Sequence, residues 1–240
     1  MKYEMKVDVV ISADHIKKGE LQGKVAVVID MLRATSVMVT ALDNGAKKVV
    51  PFLTVEEAFD YSKQHDGEVI LGGERKALKI EGFDFSNSPL EYKREFVEGK
   101  TLAITTSNGT RAIKGCDGAS HIFIAAMLNA KAICKKLKSL NEDVVIVNSG
   151  TMGQFSMDDF ICAGYLIDTL INDNPKIELS DIAITAKYIY ENNKDIDSFI
   201  KNARHYNILK SLGLDGDLHY CMKKDIIDNT PEYIDGEITI

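Results

Sequence analysis

Four carboxylates stand where a buried chain would not ordinarily leave them. Asp30 closes the apolar run VAVVID, Glu74 closes EVILGGE, and Asp158 and Asp159 open the stretch SMDDFICAG. An acid at the tip of a buried strand is costly to desolvate unless a cation or hydrogen-bond donors meet it. Hard oxygen ligands of this kind suit Mg2+, which takes a few carboxylates and fills its remaining positions with water and substrate oxygens. Asp158 and Asp159, taken alone, read as acids complementing a helix dipole. Two neutral segments accompany the acids, TTSNGT at 105–110 and NSGT at 148–151. Each follows an apolar run and precedes a turn or helix, so free backbone N–H groups there can hold a phosphate or carboxylate. Neither has the GxxxxGK[ST] spacing of a P-loop or a GxGxxG fingerprint, which argues against a nicotinamide oxidoreductase. Arg33, Arg75 and Arg111 each lie within a few residues of a strand end. Their planar forks can clamp oxyanions, and three at one sheet edge would focus an anionic ligand.

The elements that must position these groups alternate along the chain. Short apolar runs, KVDVVIS, KVAVVID, KKVVPFL, EVILGGE, TLAITTS, HIFIAAM and DVVIVNSG, are separated by stretches of helical length at 34–44, 54–64, 108–115, 129–140 and 156–171. That alternation predicts an α/β fold, and strands without polar alternation predict helices on both faces of the sheet. Thr54 to Glu57 reads as a capping box. Residues 23–74 echo residues 99–150: Gly23-Lys24 falls on Gly99-Lys100, and VAVVID falls on TLAITT. Each segment would be a β-α-β-α-β unit, and two related halves would bring their strand ends together. Residues 180–212 read as two helices, and 215–240 as an irregular tail with a closing strand. No linker divides the chain, so residues 1–240 are expected to form one domain.

Composition narrows the function. The chain has 240 residues, 45% hydrophobic side chains and a formal charge of -7, with no clustered basic run, which excludes a general nucleic-acid binder. The first twenty residues hold no apolar leader core and no stretch is long enough to span a bilayer, so a cytoplasmic location and no membrane partner are expected. Cys116, Cys134, Cys162 and Cys221 lie apart without a CxxC pair, and the five histidines show no metal-binding spacing. The apolar content permits a homodimer.

The motifs VVIDMLRATS, LGGER, GFDFSNSP, TTSNGT and SMDDFICAG, in this order, make the chain resemble the 2-phosphosulfolactate phosphatases of the ComB family. The resemblance implies a three-layer α/β/α fold with two intertwined, pseudo-symmetric halves and a mostly parallel or mixed sheet. It implies a Mg2+-dependent phosphatase of coenzyme M biosynthesis that converts (R)-2-phospho-3-sulfolactate to 3-sulfolactate and phosphate. Carried over residue by residue, it points to Asp30, Arg33, Thr35, Gly73, Glu74, Arg75, Asn87, Ser88, Ser107, Asn108, Gly109, Thr110, Ser156 and Asp159. Combined with the reading above, Asp30, Arg33, Glu74 and Asp159 are the expected catalytic groups, and Asp30, Glu74, Asp158 and Asp159 the expected metal ligands. Thr35, Arg75, Asn87, Ser88, the 107–110 loop, Ser149, Gly150 and Ser156 are expected to bind the small anionic substrate. Two positions depart from the family pattern: Ser86 where a glycine is expected, and Asp158 where a glutamate is expected. The nucleophile is a metal-oriented water or Asp30; Leu32 stands where haloacid-dehalogenase phosphatases carry a second aspartate. The alternatives are a phosphatase acting on a different phosphorylated three-carbon acid, or a non-catalytic binder of small phosphorylated or sulfonated hydroxy acids using the same loops.

Overall fold

The computed structural model describes residues 5–65, 67–172 and 176–240. Its strands are β1 (Met5–Val10), β2 (Val25–Ile29), β3 (Lys48–Phe52), β4 (Val69–Arg75), β5 (Leu78–Lys79), β6 (Thr101–Thr105), β7 (His121–Ala125), β8 (Val144–Asn148), β9 (Ile177–Leu179), β10 (Glu232–Ile234) and β11 (Glu237–Thr239). The helices are α1 (Ala34–Asp43), α2 (Val55–Gln64), α3 (Arg94–Val97), α4 (Gly109–Gly115), α5 (Ala130–Leu140), α6 (Met157–Ile171), α7 (Asp181–Asn192), α8 (Ile196–Ile200), α9 (Arg204–Ser211) and α10 (Asp215–Cys221).

One eleven-stranded sheet results, in the order β5-β4-β6-β3-β11-β10-β7-β2-β8-β1-β9. Exchanging β2, β3 and β4 for β6, β7 and β8 reverses the order of those six strands, so the two repeats are intertwined about an axis through the β10–β11 hairpin. In one half β2 lies between β7 and β8 in parallel, with Ile29 level with Ala125 and Asn148. In the other, β6 lies between β3 and β4 in parallel, with Thr105 level with Phe52 and Gly73. The carboxyl ends of each triplet therefore finish in one row, as parallel register requires. The C-terminal hairpin is antiparallel and bridges the halves, pairing Ile238 with Val49 and Glu232 with Phe123. The tail thus supplies two central strands and α10, where one irregular segment with one strand was expected. Residues 180–212 hold three helices, α7, α8 and α9, because the chain breaks between Asn193 and Asp195, where Asp195 caps a new helix through Ser198 N–H.

The sheet is rolled. Four strands separate β6 from β2, about 24 Å in a flat sheet, yet a Cβ built on Gly109, after β6, would lie 2.9 Å from Asp30 Oδ2, after β2. The concave side encloses α1 and α4, packed with Val28, Ile104, Ile124 and Val147 from both halves. For this reason α1 is buried all round, Ala34 through Leu42, rather than on one stripe. On the opposite face α5, α6 and α7 cover Val27, Ile29, Phe123 and Ile146, and α2 covers Leu71 and Ala103. The helix starting at Thr54 has the expected capping box, with Thr54 Oγ1 accepting from Glu57 N–H at 3.1 Å and Glu57 accepting from Thr54 N–H at 3.0 Å. No helix among the described residues is long and apolar enough to cross a membrane.

Candidate active site

The turn from β2 into α1 carries Asp30, and it has a neutral counterpart in the turn from β6 into α4. Asp30 Oδ1 accepts the N–H of Ala34 at 3.1 Å, and Thr35 Oγ1 donates to the Asp30 carbonyl at 2.9 Å. In the other turn Thr106 Oγ1 accepts the N–H of Thr110 at 3.2 Å, and Thr110 Oγ1 donates to the Thr106 carbonyl at 3.0 Å. Thr35 and Thr110 are therefore buried braces, one in each half. A threonine satisfies the second turn; the first uses an acid for the same local task and so keeps a charge at the strand end. No hydrogen bond among the described residues reaches Asp30 Oδ2. Gly109 is required opposite it, since a Cβ there would also lie 2.7 Å from that of Ala34.

Glu74 and Asp159 form a second matched pair. Glu74 accepts the N–H groups of Ser107 at 2.7 Å and Ala77 at 2.8 Å, one on each oxygen. Asp159 accepts those of Met31 and Gly150, each at 2.9 Å. Within its triplet, each acid ties together strand-end loops that come from different sequence repeats. Gly73 permits the approach of β4 to β6 here: its φ is +140°, and a Cβ would fall 2.0 Å from the Thr105 carbonyl oxygen. Asp158 accepts the Ser156 hydroxyl and faces His205 Nδ1 at 3.9 Å.

These acids share one electrostatic environment. Burial lifts the Asp30 carboxyl from its ordinary 3.8 to about 6; the field of His205 and the Ala34 N–H pull it down, and Asp158 and Glu74 push it up. Asp159 lies well above the usual range, first through burial and then through Asp158 and Asp30. The four cysteines are buried. Burial pushes the Cys116 thiol up to about 12 and Cys162 well above its ordinary value, so neither has the thiolate character of a nucleophile.

A cavity of about 630 Å³ opens over this edge. Asp30, Arg33, Glu74, Asn87, Ser107, Asn108 and Arg111 reach it from the residues singled out in the sequence. Arg33 is 2% exposed and ion-paired to Asp217 at 2.5 Å, and it also donates to the Ala77 carbonyl at 3.0 Å. Ser88 completes this buried network by donating to Asp217 at 2.6 Å. Asn87 Oδ1 is buried without a hydrogen-bond partner, and Asn108 Oδ1 accepts the Met152 N–H at 3.1 Å. Arg75 turns elsewhere, donating to Thr105 Oγ1 at 2.9 Å and to the Leu53 carbonyl. Ser149, Gly150 and Ser156 do not line the cavity: Gly150 N–H donates to Asp159 and the Ser156 hydroxyl to Asp158, while the buried Ser149 hydroxyl has no hydrogen-bond partner among the described residues. Ser86 keeps an ordinary backbone, and its N–H and hydroxyl both donate to Glu91, so a glycine is not needed there. Three contributors escaped the sequence reading: Asp217, His205 and Lys76. An arginine beside a buried strand end needs an acid, but nothing local says which acid along the chain supplies it.

Among the described residues no three His, Cys, Asp or Glu side chains converge to enclose a metal ion. A closed cage is not what Mg2+ requires, since one or two carboxylates with water and substrate oxygens suffice. Asp30 and Glu74 both line the cavity, Asp30 with one oxygen free of donors and Glu74 with a lone pair left on each oxygen. Their chemistry fits that open arrangement.

Fold and site define a class: an α/β protein with a cavity at the carboxyl ends of parallel strands, lined by acids and arginines and of a size for a small ligand. Within that class the chain belongs to the 2-phosphosulpholactate phosphatase family, whose model matches residues 10–236. It is 57% identical over 234 residues to a probable 2-phosphosulfolactate phosphatase of Clostridium acetobutylicum, covering 98% of this chain and 100% of that one. It is 59% identical over 237 residues to a protein of the same description from Clostridium perfringens, covering 98% and 96%. A third, from Clostridium botulinum, is 58% identical over 234 residues, covering 97% and 98%.

Proposed function

We propose that this chain is a Mg2+-dependent phosphatase that hydrolyses 2-phospho-3-sulfolactate to 3-sulfolactate and phosphate. The relatives' names supply the substrate, and the observation that carries the reading is Asp30: a buried acid with an unclaimed oxygen facing the cavity. Mg2+, held by Asp30 and Glu74, would neutralise charge on the phosphoryl oxygens and lower the pKa of water. The chain's own residues do the rest. Arg33, fixed by Asp217, presents a guanidinium to an anionic oxygen, and the α1 dipole adds positive potential beside Asp30. Water attacks phosphorus as the ester P–O bond breaks; one of its protons stays on the phosphate and the other passes to the departing sulfolactate oxygen, with Asp30 beside the water to orient it. Glu74 and Asp159 hold the loops of both halves in register, so the donors are in place before substrate arrives.

Phosphate release from 2-phospho-3-sulfolactate, measured with Mg2+ and again with EDTA, tests this. Turnover lost with EDTA and restored by Mg2+ is expected. Equal turnover in both would remove the metal from the scheme, and binding of the ester without phosphate release would leave a non-catalytic binder.

A further inference from the structure

A two-residue turn, Lys76-Ala77, joins β4 to β5, with Arg75 paired to Leu78 across it. Both turn residues are left-handed, Lys76 at φ 54° and Ala77 at φ 65°. That geometry ordinarily selects Asn-Gly, because a side chain crowds the backbone there. The strained conformation is held from the site itself: Ala77 N–H donates to Glu74 and the Ala77 carbonyl accepts from Arg33. Its effect is to set Lys76, an exposed side chain, at the lip of the cavity. Each of the cavity's two arginines stands beside an acid, Arg33 beside Asp217 and Arg111 beside Asp14, which offsets its charge. Lys76 makes no hydrogen bond or ion pair among the described residues.

We propose that Lys76 is a specificity-determining residue that binds an anionic group of the substrate remote from the phosphoryl, a sulfonate or carboxylate. This rests on the phosphatase reading and deepens it. With the phosphoryl group at buried Asp30, the other end of a three-carbon acid points toward the cavity mouth. There a flexible ammonium without an internal partner meets it, and rejects esters that carry no second charge.

Three phosphomonoesters separate the effects: 2-phospho-3-sulfolactate with three anionic groups, 2-phosphoglycerate with two, and glycerol 2-phosphate with one. In Lys76→Gln, KM for the sulfolactate ester rises about tenfold, the scale of one charge-assisted contact, with kcat within about twofold and glycerol 2-phosphate turnover unchanged. Lys76→Gly gives the same KM split with a raised Tm, because it relieves the left-handed turn while removing the charge; Lys76→Arg retains most of the wild-type selectivity. An equal change for all three esters, or no change for any, overturns the role of Lys76 while leaving the phosphatase reading intact. Failure of the wild-type protein to release phosphate from any of the three overturns that reading, and this inference with it.

Discussion

Replacing Asp30 by Asn should make the protein more stable and inactive, and the stability gain should depend on pH in a calculable way. Burial raises the Asp30 carboxyl from 3.8 to about 6. A raised acid binds its proton more tightly in the native state than in the unfolded chain, so stability falls as pH rises between those two values. At 1.36 kcal/mol per pH unit, the wild-type protein carries a penalty of about 3 kcal/mol above pH 6 that is absent below pH 4. Asn is isosteric, and its Oδ1 still accepts the Ala34 N–H, so the variant sheds the penalty while keeping the turn. It also removes a charge that pushes up Asp159, which acts in the same direction. Urea unfolding of both proteins in EDTA, at pH 4 and pH 8, measures the difference. The account predicts near equality at pH 4 and an advantage of up to about 3 kcal/mol for Asp30→Asn at pH 8, with activity down at least about 100-fold. A variant less stable at pH 8, or a difference that does not change with pH, would refute the assignment of Asp30 as a desolvated, functionally retained acid.

Other perturbations follow from the same geometry. Asp217→Ala leaves Arg33 buried and unpaired, so urea unfolding should show a loss of about 3–5 kcal/mol with reduced turnover; a loss below about 1 kcal/mol would mean the pair is not closed in solution. Gly73→Ala drives a Cβ into the Thr105 carbonyl and should cost more than about 3 kcal/mol, read as a fall in Tm or as loss of soluble protein. Thr54→Ala removes the cap of α2, a helix that does not line the cavity, and should cost about 1 kcal/mol with kcat and KM unchanged; altered kinetics would show that α2 is coupled to the site.

The parts of this architecture that were legible are those written in local pattern. The runs ending at Asp30, Glu74, Thr105 and Asn148 are apolar and of strand length, and their polar tips fall in one row because parallel register puts them there. What could not be read depends on separations the chain does not encode locally. Glu232–Ile234 and Glu237–Thr239 are too short and too polar to show a period, yet they occupy the centre of the sheet because a gap between two rolled halves needs bridging. Asp217 is one of several acids in its segment, and only the fold brings it to Arg33. Lys76-Ala77 lacks the Asn-Gly signature of its turn, so the hairpin that carries the lysine was invisible. Arg75 shows the converse: its place beside a strand end looked functional, but its hydrogen bonds to Thr105 and Leu53 give it a bracing role.

The central claim is that a multiply anionic acid binds across this cavity, with its reacting end at Asp30. A crystal structure of the protein with Mg2+, phosphate and 3-sulfolactate tests it most directly. The account predicts phosphate and the ion at Asp30 and Glu74, with the sulfonate or carboxylate of sulfolactate reaching toward Lys76. Clear density for these ligands only in another depression, such as the one lined by Lys114, His121 and Glu232, with the Asp30 cavity holding solvent alone, would contradict it.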